Sequence, residues 1–552
     1  MQQLIQDFLG EDWSAVQFAP VPKGQSGDLA MNFFALTKKL GKSPVEMAGE
    51  VQKLLENCDV LEKTEITGPY LNLFFASEIF FQQVLAANLQ SEALKDQKIM
   101  VEYSGPNTNK PLHLGHMRNH ALGISVSNLL EAAGADVTRV NIINDKGLAL
   151  AKTMLAYDRF GNGVTPESEN KKSDHFVGDW YVRYETEFQK DNALADELPE
   201  IMRLWEAGDA KWVGLWKQMT TWVISGMEAT YARQGIWFDK AYVESDLYKD
   251  GVAISEKGLK DGVFQKNEDG AIVIDLEEEN LGTKVVLRAD GTAIYLTNDL
   301  ATAKQRFDDY SPDQLVYVVA DEQAYYFKTL FASLERLGLI DKNHLHHLSY
   351  GLVNLPDGRM KSREGTVVDA DTLMDELAGI AVEEIQKRHE DFSPEATKTL
   401  SEQIMNASWK FFLLSTSPNK SVTFDAQKSI AFEGSTGPYL QYAGVRLRSI
   451  FNKAGEVLEN YSALGDEEKK LGVKILEFSG VLTRAAENYN PTYLVTYLLE
   501  LAQEWSRYYA ENSILKSETE DLKASRLALA QKVFDVLEKG LGILGIEIPE
   551  KM

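Results

Sequence analysis

The apolar run Ile99-Met100-Val101 leads through the turn-like Tyr103-Ser104-Gly105-Pro106-Asn107 into Lys110-Pro111-Leu112-His113-Leu114-Gly115-His116. Leu122, Val126, Leu129, Leu130 and Ala133 then recur at helical spacing before Gly134. A buried strand therefore hands over to a helix N-terminus at this point. Such a terminus offers unpaired backbone N–H groups and the positive end of the helix dipole, and both favour a bound anion. Gly115 lets a nucleotide approach the backbone closely. His113 and His116 are three apart, share one helical turn, and can both donate hydrogen bonds to phosphate oxygens. A turn with two incidental histidines is the bland alternative. It is weak, because the chain holds only 8 histidines and two of them fall beside Lys110 at this junction.

The same unit continues into Val137-Thr138-Arg139-Val140-Asn141-Ile142-Ile143, completing the strand–helix–strand start of a doubly wound parallel sheet. Residues of about 148–235 read as a mostly helical insertion that splits this fold. Trp205, Trp212, Trp216, Trp222 and Trp237 in and beside it are expected to pack in a core rather than to stack on bases. Strands resume at 271–275, 284–288 and 315–319; the last, Leu315-Val316-Tyr317-Val318-Val319, is a continuous apolar run suited to the interior of a parallel sheet. Residues 1–95 read as a separate α+β unit, with Tyr70-Leu71-Asn72-Leu73-Phe74-Phe75 alternating as a strand does. From 396 to 552 the pattern is helical, with Tyr493, Leu494, Tyr497, Leu498, Leu501, Trp505 and Tyr508 on one face. The expected class is α/β. A Rossmann-like catalytic domain over 96–395, interrupted at about 148–235, lies between an N-terminal α+β domain and an all-α C-terminal domain.

Composition bounds the partners. The chain has 552 residues, 44% of them hydrophobic, and no apolar run approaches the ~20 residues needed to span a bilayer. The N-terminal residues lack the basic-then-apolar pattern of a signal peptide, so a cytoplasmic home is the default expectation. Cys58 is the single cysteine, which rules out an internal disulfide and a Cys-rich zinc site. A formal net charge of −26 gives no support to a nucleic-acid partner, since phosphate binding wants a positive face. That charge is uneven: residues 421–552 are much closer to neutral than the rest.

Gly358 and Gly365 bracket Arg359-Met360-Lys361-Ser362-Arg363-Glu364. Alone, this is a solvated basic loop. Paired with the histidine segment, it resembles the KMSKS loop that accompanies the HIGH signature in class I aminoacyl-tRNA synthetases. A lone HxGH is weak, because nucleotidylyltransferases share it. Val101-Glu102-Tyr103-Ser104-Gly105-Pro106-Asn107, Arg359 through Val368, and Gly437-Pro438-Tyr439-Leu440-Gln441-Tyr442-Ala443 narrow the resemblance to the arginyl-tRNA synthetase family. It runs along the whole chain and is weakest near 160–200.

The resemblance implies an arginine–tRNA ligase, with tRNA(Arg), L-arginine and ATP as partners. Magnesium is expected to arrive on the ATP phosphates, with no tightly bound protein metal. His344, His346 and His347 lack zinc-like companions. It implies catalytic roles for Lys110, His113, His116, Arg359, Lys361 and Arg363, and ATP contacts from His113, Gly115, His116, Met360 and Lys361. The usual second loop lysine is replaced by Ser362, a departure that Lys110 is expected to offset. A guanidinium is planar and always charged, suited to paired hydrogen bonds from a carboxylate and to stacking on a ring. Glu102, Asn107, Glu244, Tyr295, Asp299 and Gln323 are the implied arginine contacts. Tyr295 and Asp299, four apart, share one face of a helix. The N-terminal domain is implied to contact the tRNA elbow and the C-terminal domain the anticodon, with Gln441, Tyr442, Arg446 and Arg448 as tRNA contacts. The enzyme is expected to be a monomer. The rivals are a class I synthetase for another amino acid and a catalytically idle tRNA-binding relative.

Overall fold

The computed structural model describes residues 2–9, 13, 16–19, 21, 22, 24–190, 193–356, 358–359, 368–388, 392–455 and 462–552. At its centre are five parallel strands: β1 (Lys98–Glu102), β2 (Asp136–Ile143), β3 (Lys240–Val243), β4 (Gln314–Ala320) and β5 (Leu345–Tyr350), in the spatial order β5-β4-β1-β2-β3. The chain builds outward from β1 to β3, then returns to place β4 on the other side of β1. This reversal opens a crevice at the C-terminal ends of β1 and β4, where doubly wound sheets bind their ligands.

Helix α1 (Leu114–Ala132) follows β1 and is buried along nearly its whole length. It can lie this close to the sheet because Gly123 has no side chain; a Cβ there would come within 2.2 Å of the Tyr103 ring. Arg139 on β2 is buried and held through its two terminal nitrogens. Its guanidinium donates to Glu131 at 2.7 Å and Asn128 at 2.8 Å on α1, and lies 4.3 Å from the Trp237 ring.

Helices Leu148–Phe160, Ser173–Lys190, Ala193–Glu206 and Ala210–Gln234 run between β2 and β3, as the insertion was expected to. Trp205 and Trp212 are core residues there, whereas Trp237 is 48% exposed beneath Arg139. The three runs read as strands are strands, in two different sheets. Ile272–Leu276 and Gly282–Leu287 do not join the parallel sheet; they pair antiparallel with each other, and Gln265–Lys266 adds a third strand. Only β4, of the three runs, enters the main sheet.

The N-terminal region carries a four-stranded antiparallel sheet in the order Gln17–Ala19, Leu29–Asn32, Tyr70–Phe75, Leu61–Thr67. Beyond β5, helices Pro394–Leu414, Gly437–Ala454, Asp466–Glu487, Thr492–Glu511 and Glu520–Ile543 pack around Tyr497 and Trp505, which are buried as their apolar face requires. Strand Val422–Thr423 pairs in parallel with Val353–Asn354 and so ties the helical region to the segment that follows β5. Among the described residues, no helix is long and apolar enough to cross a membrane.

Candidate active site

His113 is the N-cap of α1. Its Nδ1 accepts from the Gly115 N–H at 3.1 Å, and the His116 Nδ1 accepts from the His113 N–H at 3.1 Å. A Cβ on Gly115 would lie 2.9 Å from the His113 ring, so glycine is what lets the imidazole fold back onto the helix end. Burial, the Lys110 charge and His120 hold His113 down at about 4, and burial with His113 keeps His116 well below its ordinary value. Both rings are therefore neutral near pH 7. Because each Nδ1 is an acceptor, the proton resides on each Nε2, which can donate to a phosphate oxygen.

The turn between β1 and α1 is held open by amides. Ser104 and Gly105 have φ of 79° and 61°; their N–H groups donate to Asn119 Oδ1 at 2.5 Å and Asn141 Oδ1 at 2.9 Å. Asn119 also donates to the Val318 carbonyl at 2.7 Å, bridging β1 to β4 at the crevice. None of this polar framework is apparent from the sequence, since an asparagine inside a helical run carries no local signal of its partner.

A cleft of about 730 Å³ occupies the crevice. Its walls bring together Glu102, Asn107, His113, Gly115, His116, Tyr295, Asp299 and Gln323, eight of the residues expected at the site. Helix α2 (Tyr295–Tyr310) supplies Tyr295, 76% exposed at the rim, and Asp299 one turn deeper. Burial pushes the Asp299 carboxyl up to about 7, although the Tyr326 hydroxyl donates to it. Glu102 is paired with Arg306, a wholly buried guanidinium on α2 that also faces the Tyr242 ring at 5.1 Å. Arg306 and Tyr326 were missed from the sequence. Arg306 lies in Gln305-Arg306-Phe307-Asp308-Asp309, which reads as a solvated charged helix end.

Other expected residues are placed elsewhere. Glu244 lines a neighbouring cavity of about 490 Å³ that shares Tyr295 with the cleft; Asn298 donates to its Oε1 at 2.7 Å, and burial pushes its carboxyl up. Lys110 does not line the cleft. It is partly buried in the turn, burial lowers its pKa, and its charge acts on both signature histidines. Arg359 pairs through its backbone with Asn354, a cleft residue. Met360, Lys361 and Arg363 lie outside the described residues. His344, His346 and His347 go separate ways: onto the Asp313 carbonyl, against the Tyr489 ring, and onto the Val319 carbonyl.

Two of the four expected tRNA contacts are spent inside the protein. Gln441 is fully buried and donates to the carbonyls of Gln403 at 3.1 Å and Glu547 at 2.7 Å. Arg448 donates to the carbonyls of Ile548 at 2.9 Å and Pro549 at 3.0 Å and pairs with Glu538 at 2.9 Å. Both fasten the C-terminal tail, a role the helical pattern of 437–454 does not reveal. Tyr442 and Arg446 are exposed, and the Arg446 guanidinium lies 5.7 Å from the Tyr442 ring and 5.4 Å from that of Tyr509.

Comparison with known proteins agrees with this geometry. Residues 80–425 match the family model described as tRNA synthetases class I (R), catalytic domain. Residues 2–75 match the arginyl tRNA synthetase N terminal domain, and residues 440–552 the DALR anticodon binding domain. The arginine–tRNA ligase of Treponema denticola is 43% identical, covering 96% of this chain and 94% of that protein. That of Porphyromonas gingivalis is 39% identical, covering 97% and 96%. The solved structure of Thermus thermophilus arginyl-tRNA synthetase superposes with a TM-score of 0.85 at 27% identity, covering 100% of this chain and 99% of that one. With a neutral histidine pair at a helix N-terminus, a carboxylate-lined cleft at the sheet's switch point, and a helical C-terminal region, the chain belongs to the arginyl-tRNA synthetase family of class I.

Proposed function

We propose that the cleft joins L-arginine to ATP, releasing pyrophosphate, and passes the arginyl group to the 3′-terminal adenosine of tRNA(Arg). The observation that carries this reading is the placement of Asp299 beneath Tyr295 in the same cleft as the histidine pair. A guanidinium laid against Tyr295 reaches a carboxylate whose burial makes an opposite charge most valuable. Asn107 and Gln323 at the cleft wall hold the α-amino and carboxylate end. Glu102, already neutralised by Arg306, offers its remaining lone pairs to the α-ammonium. Glu244 adds a second carboxylate at the guanidinium end.

Activation forms a bond between the arginine carboxylate and the α-phosphorus of ATP and breaks the bond to pyrophosphate. Negative charge grows on the phosphate oxygens, so fixed donors and cations lower the barrier. His113 and His116 give their Nε2–H groups, Gly115 an open backbone, and Lys110 the charge that Ser362 lacks. Arg359, Met360, Lys361 and Arg363 are assigned further contacts to the ATP phosphates. Magnesium enters on ATP. The chain acts in the cytoplasm as a single copy, with residues 1–95 at the tRNA elbow and the helices after 396 at the anticodon, through Tyr442 and Arg446.

The test is ATP–pyrophosphate exchange. Exchange is expected with arginine, and only when tRNA is present, as in this family. Robust exchange with arginine but without tRNA contradicts the ordering, and exchange driven by another amino acid contradicts the substrate.

A further inference from the structure

The insertion helix Ser173–Lys190 meets the signature turn at one place and the segment paired with that turn at a second. At the first, Gly178 lies against Pro111; a Cβ there would be 2.7 Å from the proline ring. At the second is a cluster of charge that the reaction above does not use. Lys172 Nζ lies 2.7 Å from Asp371 Oδ2, 3.1 Å from Asp174 Oδ2 and 2.5 Å from the Thr230 hydroxyl. His175 Nε2 lies 3.0 Å from Asp371 Oδ2 and 3.5 Å from Asp369 Oδ2. Thr230 Oγ1, on the helix Ala210–Gln234, donates to Asp371 at 3.1 Å. On that same helix, a Cβ at Gly226 would fall 2.4 Å from Asp174, so both insertion helices close on one point.

Asp174, His175 and Asp371 approach one another within 4.8 Å, as metal ligands do. The cluster has no need of a metal. The Lys172 ammonium already contacts two of its carboxylates, and a second cation beside it would meet like charge.

What the cluster grips is the backbone opposite His113. Asp369 and His113 form an antiparallel bridge. The Leu114 N–H donates to the Val368 carbonyl at 3.0 Å, and the Ala370 N–H to the Leu112 carbonyl at 3.0 Å. Asp369 Oδ1 caps the helix Ala370–Arg388 through the Thr372 N–H at 2.9 Å. We propose that Lys172 and His175, outside the cleft, are positioning residues for phosphate binding: by clamping Asp371, two residues along from Asp369, they hold the paired strand of backbone that sets His113 in place. The insertion thereby serves the chemistry as well as the packing.

The protonation states agree with this geometry. The hydrogen bond to Asp371 raises the His175 pKa. Burial alone would raise Asp371, but the bonds from His175 and Lys172 outweigh it and hold the carboxyl at about 2. Asp174, fully buried, is pushed up by burial. Asp371 is thus ionised near neutral pH and held by the Lys172 ammonium and the His175 imidazole.

The proposal rests on the ligase reading above, and the experiment separates the two. Exchange is measured on the full chain with ATP, arginine and tRNA, for the parent, His175→Ala, His175→Gln and Lys172→Met. His175→Ala is expected to lose kcat by on the order of tenfold through a misplaced His113, with KM for arginine within about twofold of the parent. His175→Gln keeps an amide donor near the Nε2 position and is expected to recover most of that loss. Lys172→Met is expected to give the same split, with a thermal melt run beside it because Lys172 also pairs with the buried Asp174. Parent-like kcat in both His175→Ala and Lys172→Met overturns the proposal, as does a loss carried by KM for arginine or a glutamine variant no better than alanine. A parent without arginine-dependent exchange overturns the ligase reading and this inference with it.

Discussion

Asp299 presents a carboxyl that burial pushes up to about 7, so in the empty cleft it is partly protonated near neutral pH. A guanidinium favours the charged form, and binding arginine therefore releases a proton. The protonated state is the poor binder and grows as pH falls through 7, so KM for arginine is expected to rise from about pH 8 to about pH 6, approaching tenfold per pH unit at the acid end. In Asp299→Asn, KM is expected to be higher throughout and flat across that range; a parent whose KM does not move with pH contradicts the assignment. Lys110 acts on both histidines, so Lys110→Ala is expected to slow activation by roughly a hundredfold with little change in KM for arginine. A variant within a few-fold of the parent removes Lys110 as the substitute for a lysine at Ser362. At this scale the sequence was legible where a residue type implies its own chemistry: His113, Gly115, His116, Tyr295 and Asp299 meet in one cleft. It was not legible where the partner is distant in the chain. Gln441 binds the Glu547 carbonyl and Arg306 binds Glu102, pairings that no local pattern encodes.

Elements were legible through their period and less so through their neighbours. The β1–α1 junction follows from an apolar run, a turn and helical spacing. The runs at 271–275 and 284–288 read as strands without naming their partners, and they form an antiparallel sheet of their own, because a strand pattern does not specify the strand it pairs with. The packing of α1 yields a test. Gly123→Ala drives a methyl into Tyr103, 2.2 Å from its ring at the ideal position, and is expected to cost about 1–3 kcal/mol by overpacking. Gly49, in the helix Pro44–Leu54, meets nothing within 4 Å, so Gly49→Ala is expected to leave stability unchanged or raise it by roughly 0.5–1 kcal/mol. Thermal melts of the two variants check this; equal melting temperatures contradict the close approach of α1 to the sheet.

For the whole molecule, a net charge of −26 opposes long-range attraction of tRNA, so local cations must carry phosphate contacts. Arg446, exposed between Tyr442 and Tyr509, is suited to this, while Arg448 is committed to the tail. Arg446→Ala is expected to weaken tRNA binding and flatten its salt dependence by about one unit of log–log slope. Parallel salt plots for parent and variant contradict a phosphate contact. One reaction needs the cleft and the tRNA-binding regions together. The most direct measurement is aminoacylation: purified protein, ATP, magnesium and total tRNA, with each of the twenty amino acids supplied in turn. Charging by arginine, and by no other amino acid, is the predicted result. Charging by a different amino acid, or none at all by a folded protein, contradicts it.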